Sequence, residues 1–497
     1  MSALPHSLSF HEEILRGTDW RKVGAIAGMV LLALVWGTFV ALTDWSAALI
    51  CIAAIVCVFT VRDFRVGVLV MIFIMPISAS YIFPRAMFGI TGMNPLNVLL
   101  IGTFASYMLA ALPDGSMRRF VPFWIVPVYL VPIVLAGING MGHVPQIPQL
   151  FRLSESIDFY NELTYLRDLV LKPFIIVMFA LLVGGAYARS REPAKFLTPM
   201  IISMWIMGAL VIAFFINSPV KFGQLASEYA RFFFSPLGMH ANDLGRLYAT
   251  AFGILLFTWD RTLPRKHPML KTMLFLTMGV VCVALILTFS RAAIISLVLI
   301  SLIYVISRPN RKTFFFLALI IPAVILFTPG AIVYRMGMGV EDGATGMSAG
   351  RISDIWTPLL PQLVDRPFFG HGLQSVLWAP AMRMEEMMAV THPHSAYLGA
   401  LMDFGIIGAL LILAFWFTIW KGFRRLSKDQ ELEPHQQGFF EGAAASLVAF
   451  AAAGFVGSSF TPVPEQSFLW LAIGMMFGVK ARRQIATDRA RRMGRKA

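Results

Sequence analysis

Long apolar runs alternate with short polar stretches along almost the whole chain. A helix needs about 17 to 25 mainly apolar residues to cross the hydrocarbon core of a bilayer. Runs that approach this length predict spans near 23–42, 45–61, 66–83, 95–112, 121–137, 168–187, 198–217, 244–258, 271–289, 293–307, 313–330, 396–420, 438–458 and 467–479. Those at 244–258 and 467–479 are short, so the expected number of spans is about twelve to fourteen. The predicted fold class is an all-α polytopic membrane protein, one membrane domain over 1–497, with no internal repeat and no second soluble domain.

Charge in the polar intervals gives the orientation independently. Arg62 and Arg65, Arg118 and Arg119, Arg189, Arg191 and Lys195, Arg261, Arg265, Lys266 and Lys271, Arg308, Arg311 and Lys312, and Lys421, Arg424, Arg425 and Lys428 all fall on one side. By the positive-inside rule that side is cytoplasmic, as are both termini. The outer intervals are 138–167, 218–243, 459–466 and a long one at 330–395. Within the long one, Ile352, Ile355, Trp356, Leu359, Leu360, Leu363 and Val364 recur at helical spacing, with Arg351, Asp354 and Gln362 off the apolar stripe. Pro361 is expected to kink or end this interfacial helix. Arg366 to Gly372 then forms a glycine-framed turn, and Met382 to Met388 another short helix.

Composition agrees with this picture. Of 497 residues 58% are hydrophobic and 14% charged, and the mean hydropathy is +0.72, which excludes a soluble globular protein. The net charge of +14 does not point to nucleic acid, because much of it lies in the tail from Lys480 to Lys496, where it suits a cytoplasmic anchor on anionic lipid. Cys51, Cys57 and Cys282 sit in apolar runs and form neither a disulfide framework nor a zinc motif. The charged first 22 residues, with no small-residue cleavage site after the first apolar run, predict an uncleaved first span.

Three outer arginines have no topological reason to be there. Arg291 follows Ser290, Arg351 follows Gly350, and Arg167 lies five residues before Lys172. At a helix start the free N–H groups, the dipole and a guanidinium together suit a phosphate, and two such starts side by side suit a pyrophosphate. The alternative is that these arginines snorkel to headgroups or pair with Asp168, Asp243 or Asp354. His394 precedes Ser395, a plausible N-cap for the next span, and is either a general base at a cavity mouth or an interfacial histidine. His240, Asn242 and Asp243 open another span; Asn242 or Asp243 either caps it or binds sugar hydroxyls. His371 and His392 are further polar candidates. A metal held by His240, His371, His392, His394, Glu385 and Glu386 lacks any His-x-x-x-His spacing, so none is expected. Gly405, Gly408 and Gly422 are expected at close-packed contacts.

The order Ser290-Arg291-Ala292, Gly350-Arg351 with Trp356, Pro367 to Gly372, and His392-Pro393-His394-Ser395 with Phe404-Gly405-Ile406-Ile407-Gly408 resembles the O-antigen ligase and polymerase superfamily over about 240–420. Asn242 and Leu244 match a further element of that family, with Gly245 where Ala is usual and Ser395 where many members have Asn. The resemblance implies a GT-C-like transferase of the bacterial inner membrane, working on the periplasmic face without metal, cofactor or nucleotide sugar. The long interval 330–395 becomes a periplasmic cap. The implied donor is a glycan on undecaprenyl pyrophosphate, and the acceptor another glycan or a lipid A core, with a chain-length regulator as a further partner. Carried over by position, His394 activates the acceptor hydroxyl and Arg291 and Arg351 hold the leaving pyrophosphate, while Arg167, Lys172, Asn242, His371, His392 and Ser395 are expected to bind substrate. Attack on a sugar whose leaving group is already good needs one base and charge stabilisation, and single displacement inverts the anomeric centre. The number of spans and the long N-terminal half favour a polymerase over a ligase, and a polysaccharide-lipid transporter is the alternative from another class.

Overall fold

A computed structural model describes residues 45–78, 94–112, 122–153, 159–218, 234–310, 350–383, 390–457 and 459–494, with isolated positions between them. Among these the chain is helical apart from a two-residue ribbon pairing Ala86–Met87 with Ile90–Thr91. The helices are α1 (Trp45–Arg62), α2 (Phe64–Ile74), α3 (Pro95–Ala111), α4 (Val131–Met141), α5 (Glu162–Arg189), α6 (Leu197–Ile216), α7 (Ala241–Arg261), α8 (Pro268–Leu287), α9 (Arg291–Ser307), α10 (Thr357–Asp365), α11 (Ala396–Leu426), α12 (Pro434–Ala453) and α13 (Ser467–Gly494). Four stretches, Glu162–Arg189, Pro193–Ile216, Pro268–Leu287 and Ala396–Leu426, are long and apolar enough to cross a membrane, and several shorter apolar helices accompany them. This is the architecture of an all-α membrane protein. Every predicted span from 45–61 onward is a helix except 313–330, which with 23–42 and Met384 to Ala389 lies outside the described residues. The basic tail is no separate segment: α13 carries straight on through Lys480 to Gly494.

The centre of the bundle is α7, packed between α8, α9 and α12. Almost every side chain from Ala241 to Thr258 is buried, so lipid does not demand an apolar surface of it. That is why its sequence reads as a short span: a helix enclosed by protein can carry Asp243, Arg246 and Asp260. Glycines bring α12 against it. A Cβ on Gly438 would stand 2.4 Å from the Phe257 carbonyl oxygen, and one on Gly442 2.5 Å from that of Gly253. At its far end Arg308 holds Asp260 at 3.0 Å and Glu441 at 2.9 Å, and Arg261 holds Glu441 at 2.7 Å.

The run predicted as one span at 396–420 is broken. Gly405, at φ 65° and ψ −176°, takes a conformation open to glycine and divides α11 in two. The segment Pro367–Gly372 is threaded into the gap. Its carbonyls at Pro367 and Phe368 accept from the N–H groups of Ile406 and Ile407, while the N–H groups of His371 and Gly372 donate to Met402 and Asp403. Gly370 and Gly405 meet at backbone distance, where no Cβ fits on either. The glycine-framed turn is therefore the piece that satisfies the broken helix. Asp403 turns back to accept from the Ser375 backbone N–H at 3.0 Å and its hydroxyl at 2.9 Å.

Two expectations for the interfacial helix need correction. Pro361 does not end it at once: α10 runs on to Asp365, losing the single hydrogen bond that proline cannot donate. The apolar stripe is also split, because Arg351–Trp356 is a π-turn and shifts the phase of α10 relative to it. Ile355, Leu359 and the polar Gln362 face inward, whereas Leu360 and Val364 are exposed. Gln362 is accommodated by donating its Nε2–H to the Ser375 carbonyl.

Candidate functional site

One end of the bundle collects the starts of α7, α9 and α11 and the end of α12. Gly245 on α7 packs on the α9 start, where a Cβ would lie 2.7 Å from Ala293 Cβ and 3.0 Å from Ser290 Cβ. The sequence departs from alanine here because the contact has no room for it. Ser290 caps α9 by accepting from the Ala293 N–H, which leaves Arg291 as the first helical residue. The Ala396 N–H donates to Gly454 at the end of α12 at 2.7 Å, docking the start of α11 there. Trp356, one turn after Arg351, donates its indole N–H to the Pro393 carbonyl at 2.8 Å. The π-turn and the histidine loop are thereby locked together.

Three carboxylates were the possible partners for the outer arginines, and each is accounted for. Asp168 pairs with Arg167 at 2.9 Å and Lys172 at 2.7 Å. Asp243 pairs with the buried Arg246, which also holds Glu465 at 2.9 Å. Asp354 accepts from the Ser353 hydroxyl. Among the described residues, Arg291 and Arg351 have no carboxylate partner, and Arg351 donates only to the Val456 carbonyl, at 3.1 Å. They are close enough for Arg291, after burial, to push the Arg351 pKa down. Two neighbouring guanidinium ions with no counter-charge among the described residues make an anion-seeking spot.

The histidines stand beside this pair. The rings of His392 and His394 are 4.1 Å apart, tilted at 54°. His394 has φ +52°, a left-handed conformation that is costly for a non-glycine residue. Burial, then His392, Arg351 and His240, lower its pKa to about 3. Burial, then Arg246 and Arg351, lower that of His392, against an opposing pull from Glu465. Both imidazoles are thus neutral at neutral pH, with a ring nitrogen free of the charge that would stop it accepting a proton. His392 keeps exposed surface at this end of the bundle.

The remaining predicted residues divide. Ser395 is the N-cap of α11, accepting from the Leu398 N–H at 3.4 Å. Asn242 and Asp243 do not cap α7: His240 does, its Nδ1 accepting from the Asn242 N–H at 3.2 Å. Asn242 remains half-buried in the first turn beside the site. Arg167 and Lys172 share Asp168, the ordinary pairing. His371, expected to bind substrate, is buried, and its Nε2–H donates to the Gln362 carbonyl at 2.7 Å, tying α10 to the threaded segment. Sequence reasoning missed Arg246, Glu465 and Trp356 as parts of the site. Arg246 had a signal, since an arginine between Leu244-Gly245 and Leu247-Tyr248 needs a buried partner, but nothing in the sequence names Glu465 as that partner.

Comparison with known proteins bears on this end of the molecule. Residues 273–413, which include Arg291, Arg351, His392 and His394, match the family model described as O-antigen ligase. The chain is also similar to an O-antigen ligase of Pseudomonas aeruginosa, at 25% identity over 424 residues, covering 78% of this chain and 98% of the relative.

Proposed function

We propose that the chain, which matches the O-antigen ligase family model over 273–413 and resembles an O-antigen ligase over most of its length, transfers a glycan from undecaprenyl pyrophosphate to an acceptor hydroxyl at the outer face of a bacterial inner membrane. The observation that carries this reading is Arg291 beside Arg351, and Arg351 beside the neutral His394, with no carboxylate partner for either arginine among the described residues. The acceptor oxygen attacks the anomeric carbon as its proton passes to the His394 imidazole. The bond from that carbon to the pyrophosphate oxygen breaks, and undecaprenyl pyrophosphate leaves with the electron pair. Arg291 and Arg351 neutralise the charge that develops on the leaving group, where preorganised donors are worth most. One displacement inverts the anomeric centre and calls for no metal. Thr391 to Ser395 supplies the base, Ser395 by capping the helix that follows His394 and Trp356 by holding the loop. His392 and Asn242 flank the cleft where sugar hydroxyls bind.

The acceptor separates two forms of the reaction. The relative's own activity and its coverage over 98% of its length favour a ligase moving finished glycan onto a lipid A core, whereas the long N-terminal half favours a polymerase. A polysaccharide-lipid transporter would place charges near the middle of its spans; the ion pairs on α7 lie at its two ends. Reconstitution with a defined undecaprenyl-pyrophosphate oligosaccharide, with and without a lipid A core acceptor, distinguishes all three. Transfer only to the lipid identifies a ligase, chain growth without it a polymerase, and movement of intact donor across the bilayer a transporter. Arg291→Ala and Arg351→Ala each abolish transfer with normal membrane insertion, and full activity in His394→Ala refutes the base.

A further inference from the structure

At the opposite end of α7, about 30 Å along its axis from His240, lies a second cluster of ionisable side chains that the transfer reaction does not use. His267 stands in the turn between α7 and α8, and Glu433 and His435 at the start of α12. His435 Nδ1 lies 3.3 Å from Glu433 Oε2, and His267 Nε2 3.7 Å from the same oxygen. The two imidazole rings meet edge to face with centroids 5.2 Å apart. All three donor atoms lie within 4.8 Å of one another. These side chains, with Leu263, Lys266 and Pro434, line an open cavity of about 200 Å³.

We propose that His267, Glu433 and His435 bind a divalent transition-metal ion of the zinc class. Bonds of about 2.0 to 2.1 Å in a tetrahedron separate neighbouring ligand atoms by about 3.3 Å, which is the spacing already present between Glu433 and His435 and close to that of His267. Two imidazoles and one carboxylate suit zinc or its neighbours in the first row rather than magnesium or calcium, which prefer oxygen alone. His267 and Glu433 are open to solvent, giving an entry path and room for a water as the fourth ligand. The ion would clamp the α7–α8 turn to the start of α12. Lys266 faces the same cavity and opposes a cation, so it sets the affinity: Lys266→Ala tightens binding.

The test uses the full chain, tag-free in detergent, stripped with chelator and titrated with Co²⁺ under visible absorption, then competed with Zn²⁺. One equivalent of Co²⁺ should bind with tetrahedral bands and be displaced by Zn²⁺. Affinity should fall at least about tenfold in His267→Ala and Glu433→Gln, and stay unchanged in a His392→Ala/His394→Ala double variant. His267 and Glu433 are exposed, and glutamine keeps the capping oxygen of α12, so neither variant should unfold. The absence of saturable binding, an equivalent that disappears with His392 and His394, or one untouched by His267→Ala and Glu433→Gln overturns the proposal.

Discussion

The basicity of His394 should depend on whether the donor is bound, and this can be read in the pH dependence of the rate. In the free protein its pKa is lowered to about 3 by burial and by the fields of His392, Arg351 and His240. A unit charge about 7 Å away, at an effective dielectric of about 20, is worth roughly 2 kcal/mol, or between one and two pKa units. A pyrophosphate with about two negative charges beside Arg291 and Arg351 therefore raises His394 by roughly 2 to 3 units, to about 5 or 6. An anion favours the imidazolium, so the bound complex protonates at higher pH than the free protein. Initial rates measured from about pH 4 to 8 report the bound complex in kcat and the free protein in kcat/KM. The acid limb should appear in kcat near pH 5 to 6, while kcat/KM shows no limb from His394 until far lower pH. The residual rate of His394→Ala should lack the limb in kcat. Coincident limbs in the two profiles, or a kcat limb that survives His394→Ala, would refute the reasoning.

Other outcomes rest on the walls of the site. Replacing Arg246 by Met leaves Glu465 buried, and Asp243 half-buried, without their shared partner, and should destabilise the protein by about 3 kcal/mol in thermal or denaturant unfolding. Gly245→Ala forces a methyl into Ser290 and Ala293, so stability should fall by about 1–3 kcal/mol and the rate should fall with it as the start of α9 shifts Arg291. Trp356→Phe keeps the ring but loses the bond to the Pro393 carbonyl; kcat should drop with little change in KM, since the loop that loosens carries the base.

The apolar helices were readable because lipid and core both demand long apolar runs, and each predicted span that the structure describes is helical. The helix ends of the site were readable for a local reason: Ser290 and Ser395 are side-chain caps whose chemistry operates within three residues. What escaped was tertiary. Asp168 was a visible neighbour of Arg167, and the structure makes the pair; that Arg291 comes to lie beside Arg351 is a tertiary fact with no local signal. Glu465 pairs with an arginine 219 positions away, which no local pattern encodes. The inward turn of Gln362 came from a π-turn that changes the phase of a stripe otherwise correctly seen. The break at Gly405 was hidden because a glycine in an apolar run reads equally well as close packing, and it is both.

The threaded segment also constrains how the protein is made. Pro367 to Gly372 is synthesised before the helix it repairs, so the groups it offers have left the ribosome when Met402 to Ile407 enters the lipid. Had the order been reversed, the divided span would wait in hydrocarbon with backbone groups unpaired, each at a cost of several kcal/mol. The chain order turns the loop before α11 into an internal chaperone for it. Deleting residues 367–372 should therefore show first as failed insertion of that span, before any question of catalysis arises.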